Sequence, residues 1–384
     1  MKENKNVNQA ENLTSDLKKD SIFIKCEGCG SNMSFDPLTQ TLKCGHCGKQ
    51  VDFKKNQSVA EFCLEEALQK APKWNEETTM YCCENCGANF SVSNVEVSVI
   101  CPYCSTTHIV KREDLAGVKP TAVYPFLIDS TSALDLSKKW AKRRIFAPTK
   151  FKKNLVESNL HGIYMPFFTF DSDTYSDYEG RLGERRTRTV RDSKGKTRTE
   201  TYIVWHYVQG TFAKLFDDVS ISAGGISQKE LDKLQPFKKE TLCVYENKFL
   251  SGFSARHYSK DIKDCWVDAK EVIDKQLRQD ILHYYGYDVI DYLNVSTQHN
   301  AVKYKYVLLP VYRLNYRYNK KDFPVLVNGN NGKVTGKSPI SPLRVLIATI
   351  LGILLAIGLF FALSESGALE EMQGVTNNLL NAKF

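Results

Sequence analysis

The sequence CEGCGSNMSF at residues 26–35 is echoed at residues 83–92 by CENCGANFSV. The likeness extends downstream of both copies. In each, a stretch of equal length, 30–43 and then 87–100, separates one C-x-x-C pair from another. The pairs are Cys26 and Cys29 with Cys44 and Cys47, then Cys83 and Cys86 with Cys101 and Cys104. Gly30, Asn32 and Ser34 recur as Gly87, Asn89 and Ser91. A repeat this short and this close describes a local physical unit built twice.

The chemistry of that unit is metal binding. Zn²⁺ takes four soft or borderline ligands in a tetrahedron, and each C-x-x-C knuckle offers two thiolates from one tight turn. The stretch between the pairs is long enough for a hairpin that brings two knuckles together. Four cysteines leave no open coordination position, so the expected role of two Zn²⁺ ions is structural. In modules too small for a core, such an ion supplies roughly 10–16 kcal/mol at neutral pH. A thioredoxin-like redox pair or a disulfide frame does not explain paired pairs. The repeat assigns Cys83, not its neighbour Cys82, as the counterpart of Cys26. Cys63, Cys82, Cys243 and Cys265 are left over and are expected to be small buried or half-buried residues. His46 and His108 read as bystanders.

The chain of 384 residues has room for two or three domains. Its N-terminus lacks an apolar segment of the signal-peptide kind, which predicts a reducing compartment for the cysteines. Residues 345–363, VLIATILGILLAIGLFFAL, carry no charge. A helix of that length spans about 28 Å, close to a bilayer's hydrocarbon thickness, and predicts one transmembrane helix. Lys333, Lys337 and Arg344 precede the run, while Glu365, Glu370 and Glu371 follow it. By the positive-inside rule the bulk of the chain faces the cytosol at the plasma membrane, leaving a short extracytoplasmic tail at 364–384.

The remaining organisation is read from pattern. Residues 1–22 are polar and without periodicity, which predicts disorder. Zinc ribbon one covers 23–54, a helical linker 55–79 and zinc ribbon two 80–111. In the linker, Ser58 and Glu61 form a capping-box pattern ahead of Phe62, Leu64 and Leu68, and Pro72 ends the helix. A domain at 121–335 follows. It holds a strand at AVYPFLI, a helix at STSALDLSKKWAKRR and an aromatic strand at GIYMPFFTF. A hairpin turns at Gly195. Ile262, Trp266, Ala269, Ile273, Leu277 and Ile281 form one helical stripe, with Gly286 at its C-terminal cap. Strands dominate and strand–helix–strand alternation is scarce, so the fold class is α+β with a mainly antiparallel sheet.

No H-E-x-x-H, G-x-S-x-G or G-x-G-x-x-G occurs. GKVTGKS resembles a phosphate loop, but Asn331 stands where the first glycine is required, and a turn and strand end are expected there instead. An enzyme is not supported. The other candidate site is the basic hairpin 181–198, with Arg185, Arg186, Arg188, Arg191, Lys194, Lys196 and Arg198 against Glu184 and Asp192. It reads as a solvated edge hairpin, or as a contact for anionic lipid headgroups or nucleic acid. Nucleic-acid binding interleaves aromatics with basic groups, and the Arg-rich part has none. Tyr202, Trp205 and Tyr207 come later, where alternation predicts sheet packing.

The twin knuckles, with LEEALQKAP, IFAPTKF, GIYMPFFTFDSD, LLPVYRLNYRY, VLVNGNNGKVTGKSP and the apolar run, resemble a bacterial family common in Firmicutes, the TFIIB-type zinc-ribbon-containing proteins. The likeness covers 26–363. Some members of that family carry primosomal-helicase or RNA-polymerase names, but helicase motor motifs are absent here. Others are grouped with phage-shock-type envelope-stress proteins. The resemblance implies a membrane-anchored, cytosol-facing scaffold that docks a protein partner. It carries over only the eight cysteines as functional residues. The alternative is a nucleic-acid-binding protein that uses the ribbons and the hairpin.

Overall fold

The computed structural model describes residues 24–52, 59–69, 78–83, 89–93, 109–112, 120–153, 155, 160–191, 195, 197–318 and 321–365. Only the backbone is described for 78–83, 89–93 and 109–112, for Gln69, Asn247, Arg317 and Asp322, and for the final helix after Gly358. The expectations for 1–22, Ser58, Pro72, His108, Asp192, Lys194 and Lys196, and for all of the tail beyond Glu365, lie outside those residues.

Short strands punctuated by glycine turns make ribbon one: β1 (Ile24–Lys25), β2 (Asn32–Asp36), β3 (Thr41–Cys44) and β4 (Gln50–Asp52), antiparallel in that order. Met33 and Phe35 are buried at alternate positions of β2, the period of a half-buried strand. Their partners come from the large domain. The Phe35 amide donates to the Ser251 carbonyl (2.9 Å), and the Phe35 ring lies 5.7 Å from that of Phe249. Ser251 Oγ donates to the Met33 carbonyl at 2.7 Å, and Gln40 Nε2 donates to the Phe126 carbonyl at 2.7 Å. Met33, Phe35 and Leu42 thereby share one core with Phe126, Tyr164 and Phe168.

The linker departs from the expected helix. Phe62–Cys63 is a strand, β5, paired with Tyr304 and Lys303, and the helix α1 spans only Leu64–Gln69. Tertiary pairing outweighs helical spacing here. Phe62 lies against Tyr304 (6.2 Å), Glu61 binds Lys305 (3.0 Å), and Leu64 is buried. Cys63, expected to be sheltered, is exposed. The strands β6 (Thr78–Cys83), β7 (Asn89–Ser93) and β8 (Ile109–Arg112) form a separate antiparallel sheet with β6 central.

The expected strand at AVYPFLI is reduced to β9 (Ala122–Val123), because Pro125 has no N–H to extend the ladder. The helices α2 (Ser130–Lys142, capped by Asp129) and α3 (Thr149–Lys153) follow. Three strands then dominate: β10 (Leu160–Arg191), β11 (Thr197–Ser222) and, later, β14 (Val289–Leu314). Between them lie α4 (Gln228–Leu234), β12 (Cys243–Val244), β13 (Ser254–Ala255) and α5 (Ile262–Tyr284). After β14 come β15 (Arg317–Tyr318), β16 (Lys321–Asp322), β17 (Val325–Asn328) and β18 (Val334–Gly336). The main sheet runs β11-β10-β14-β17-β18, with β9 joining β14 in parallel. This is a mixed α/β fold with mostly antiparallel pairing. β10, at 32 residues, far exceeds the usual three to ten of a globular strand. α5 buries Ile262, Cys265, Ala269, Ile273, Leu277 and Ile281, so Cys265 takes the place expected for Trp266. Gly286 follows with φ +69°, as a C-terminal cap requires.

The chain ends its described part in α6 (Pro342–Glu365), a single helix of 24 residues. Its Ser341 and Arg344 end is held by the Phe146 and Ile145 carbonyls and Thr149. Beyond that end its apolar side chains are exposed, among them Leu351 (55%) and Leu355 (74%). Residues 345–363 are helical as expected, but among the described residues no helix is long and apolar enough to cross a membrane, so the expected span is not shown. The side chains of α6 are described from Pro342 to Gly358.

Candidate metal centre and basic arm

The two knuckles of ribbon one are built alike. Gly30 and Gly48, each directly after the second cysteine of a pair, adopt φ +70° and +73°, a region open to glycine at little cost. Their amides donate back to the Cys26 and Cys44 carbonyls (2.8 and 3.1 Å), and the Cys26 and Cys44 amides donate to the Ser31 and Lys49 carbonyls (2.8 and 2.9 Å). These turns aim four sulfurs at one point. Cys26 Sγ is 3.5 Å from Cys47 Sγ, Cys29 Sγ is 3.5 Å from Cys44 Sγ, and all four lie within 4.8 Å of one another. Zn–S bonds of about 2.3 Å in a tetrahedron put sulfurs about 3.8 Å apart, so the cluster is of the size and donor type that zinc takes. Cys26 and Cys44 are buried on the domain side, while Cys29 and Cys47 are exposed.

The thiols also show why a cation belongs there. The Gly28 amide, against burial, lowers the pKa of Cys26. The Ser31 hydroxyl and amide pull Cys29 down to about 5. Although the Lys49 amide favours its thiolate, Cys47 is pushed up to about 12 by the other three sulfurs. Four thiolates this close repel one another until a dication sits among them.

In the second repeat Cys83 lies at the end of β6, and Cys86, Cys101 and Cys104 lie outside the described residues. The backbone nonetheless repeats. Ile24 pairs with Met33 and Lys25 with Asn32 in ribbon one. Tyr81 pairs with Phe90 and Cys82 with Asn89 in the second sheet. Each pair is the other displaced by the same interval that separates Cys26 from Cys83.

The basic hairpin forms the far end of the long strands. β14 pairs with β10 only as far as Gly183, so the remainder of β10 and β11 continues as a two-stranded arm. Its arginines meet more acids than the sequence between 181 and 198 suggested. Arg181 pairs with Asp291 (3.0 Å), Arg185 with Asp288 (3.4 Å), Arg186 with Glu184 (2.9 Å) and Arg188 with Glu200 (2.8 Å). Arg191 and Arg198 lie near the turn, and Arg198 is 3.8 Å from Glu200. The aromatics differ from expectation too. Strand pairing folds them back onto the arginines, with Arg181 over Trp205 (5.0 Å) and Arg188 over Tyr202 (5.4 Å). The strand alternates as expected, but the Trp205 and Tyr207 face is open, with Tyr207 77% exposed. Gly183 makes room for it: a Cβ there would stand 2.6 Å from Ile203 and 2.8 Å from Trp205.

A site the sequence did not reveal lies at a bulge where β10 meets β11. Asp171, Asp217 and Asp218 converge there. Lysines already occupy the space. Lys305, its side chain 7% exposed, reaches Asp218 (2.8 Å), Glu61 (3.0 Å) and Asp171 (3.5 Å). Lys239 reaches Asp217 and Asp218, both at 2.7 Å. Burial raises the Asp171 pKa, while Lys239 and Lys305, against burial, hold Asp218 low. The cluster is an internal ion network that ties the linker's Glu61 to the sheet.

No family model matches the chain, and no solved structure matches it. The chain is similar to the uncharacterized protein YdjG of Bacillus subtilis (strain 168). The two are 29% identical over 329 residues, covering 83% of this chain and 91% of that protein.

Proposed function

We propose that the protein is a membrane-anchored, cytosol-facing docking scaffold of the TFIIB-type zinc-ribbon kind. Two structural Zn²⁺ ions would be held by Cys26, Cys29, Cys44 and Cys47 and by Cys83, Cys86, Cys101 and Cys104. The observation that carries the anchor is α6, whose described apolar side chains are exposed from Val345 onward. Such a surface in water is unfavourable at roughly 25 cal/mol per Å². A bilayer covers it, and 24 helical residues reach about 36 Å. The closed four-sulfur geometry supports a structural rather than a catalytic metal. Carbonate extraction of native membranes tests the anchor, and protease protection tests the side. Release by carbonate, or protection of the bulk of the chain from cytosolic protease, overturns the reading. Elemental analysis should find two zinc ions per chain.

A second reading, nucleic-acid binding by the ribbons and the arm, is favoured by exposed Trp205 and Tyr207 beside Arg181. Stacking platforms with adjacent cations suit single strands. Binding to single-stranded DNA or RNA that weakens steeply with salt supports it. No binding at low salt removes it.

A further inference from the structure

We infer that two copies of this chain join edge to edge along β11, antiparallel about a two-fold axis at Tyr207, to make one continuous sheet. Among the described residues β11 pairs with β10 alone, so its other edge is open. Natural edge strands are guarded by proline, lysine, bulges or brevity. Residues 201–212, TYIVWHYVQGTF, contain no proline and no Asp, Glu, Lys or Arg. The register with β10 is unbroken there. Among the described residues the edge is filled near Ser220 and Ser222, by the Gln228 side-chain amide bonding both backbones.

The direction of the free backbone groups follows from β10. The Gly183 carbonyl accepts from the Asp288 amide, and the Arg185 amide donates to the Asp288 carboxylate. Both residues therefore turn their backbone polar groups toward the β14 side. In an antiparallel ladder the residues opposite them turn theirs the other way. Those residues are Trp205 and Ile203. The odd-numbered residues of this stretch, Tyr207 included, thus present N–H and C=O outward as a ready template for a strand.

Charge selects the occupant and the register. A perpendicular two-fold axis keeps each face with itself, so residues of like parity pair. Centred on Tyr207, Glu200 of one copy falls opposite Lys214 of the other, twice. Glu200 already binds Arg188 (2.8 Å) and Lys214 binds Asp280 (2.5 Å). The join makes a chain of alternating charge: Arg188, Glu200, the other copy's Lys214 and its Asp280. Tyr202 falls opposite Phe212, and Ile203 opposite Thr211, pairings that favour sheets. A centre at His206 instead sets Arg198 against Lys214, like charges that disfavour it. A centre at Val208 leaves Glu200 opposite Phe216. This inference does not depend on α6 lying in a bilayer.

The test uses the full chain purified in detergent, with the polypeptide mass of the particle measured by light scattering across a dilution series. Wild type is expected as a dimer. Tyr207→Pro removes an outward N–H and the hydroxyl that bonds Arg181 but no ladder bond to β10, so it should lower the thermal midpoint less than His206→Pro does while raising the dimer dissociation constant at least tenfold. His206→Pro removes an N–H directed at β10 and should lower the midpoint more. If Tyr207→Pro does not fold, a photo-crosslinking benzoylphenylalanine at Tyr207 decides. It should yield a covalent homodimer, whereas the same probe at exposed Tyr175 on the central strand should not. A monomeric wild type means that the edge serves a different chain. A dimer indifferent to Tyr207→Pro, or equal crosslinking at both sites, means that the copies meet elsewhere. Each of these overturns the inference.

Discussion

Replacing Ser251 by alanine should detach ribbon one from the domain without emptying its metal site. Ser251 is fully buried. Its Oγ donates to the Met33 carbonyl (2.7 Å) and accepts from the Ile24 amide (3.3 Å). Its own carbonyl accepts from Phe35 (2.9 Å) and survives the change. The substitution removes both of these hydrogen bonds, from a buried carbonyl and a half-buried amide. A lost bond costs about 1 kcal/mol and an orphaned buried group about 1–3 kcal/mol, so about 2–4 kcal/mol is expected. Even 2 kcal/mol raises the undocked population about 30-fold. The metal ligands are untouched, so zinc content should not change. Hydrogen exchange followed by mass spectrometry reads the effect directly. Amides of residues 24–44 should exchange faster by that factor, while those of α5 and the long strands stay protected, because local openings report local stability. Unchanged exchange in 24–44 would mean that the Ser251 clamp does not hold the ribbon. Faster exchange throughout the domain would mean that ribbon one is not a separable unit.

Three further outcomes follow from the same geometry. Cys44→Ser removes a buried sulfur of the cluster and should lower bound zinc by one ion per chain relative to wild type, read by elemental analysis; an unchanged ratio would remove the ribbon-one site. Lys305→Met strips the shared cation from Glu61, Asp171 and Asp218. Leaving buried charge uncompensated costs about 3–5 kcal/mol, so urea unfolding should shift by that amount, whereas a shift under about 1 kcal/mol would show the network to be solvated. Burial lowers the pKa values of His161, His257 and His299. Neutral in the folded chain, they protonate more readily once unfolded, so stability is full above the ordinary histidine range and declines as pH falls through it and the lower native values. Unfolding at pH 8, 7, 6 and 5.5 checks this, and His257→Gln should flatten part of the slope.

The four-cysteine cluster of ribbon one was legible because coordination chemistry acts over a few residues: two C-x-x-C knuckles, each followed by a glycine that takes positive φ, carry it. The α5 stripe and the Gly195 hairpin were legible for the same local reason. The length of β10 was not, because a half-buried strand alternates identically whether it is short or long. Alternation also says that Trp205 and His206 point to opposite sides without saying which side α5 covers, so the open face was missed. β5 exists because Tyr304 and Lys303 stand beside Phe62 and Cys63, partners drawn from the far end of the chain, and such pairing overrides local preference. The ion network was invisible for that reason too: Glu61, Asp171, Asp218 and Lys305 come together only through strand pairing and a bulge.

The arm and α6 leave the domain at opposite ends of the same strands, and this bears on the arm's partner. α6 begins against Ile145, Phe146 and Thr149, and neighbouring Ala147 packs in one cluster with Leu314 and Leu160, where β10 starts. From Leu160 to Gly183 β10 extends about 75 Å at ~3.3 Å per residue. Attraction between exposed charges fades over about 8–10 Å at physiological salt. If α6 is the anchor, only an arm lying flat along the bilayer brings Arg185, Arg186 and Arg188 within reach of headgroups. Those arginines already face Asp288, Glu184 and Glu200, which weakens any pull toward that posture. A protein or nucleic-acid partner in the aqueous phase suits the arm better than lipid. In vesicles containing the full chain and a headgroup-level quencher, the emission component due to Trp205, found by difference from Trp205→Phe, should therefore be unquenched at any anionic lipid content. Quenching that grows with anionic lipid would lay the arm on the membrane and reverse the argument.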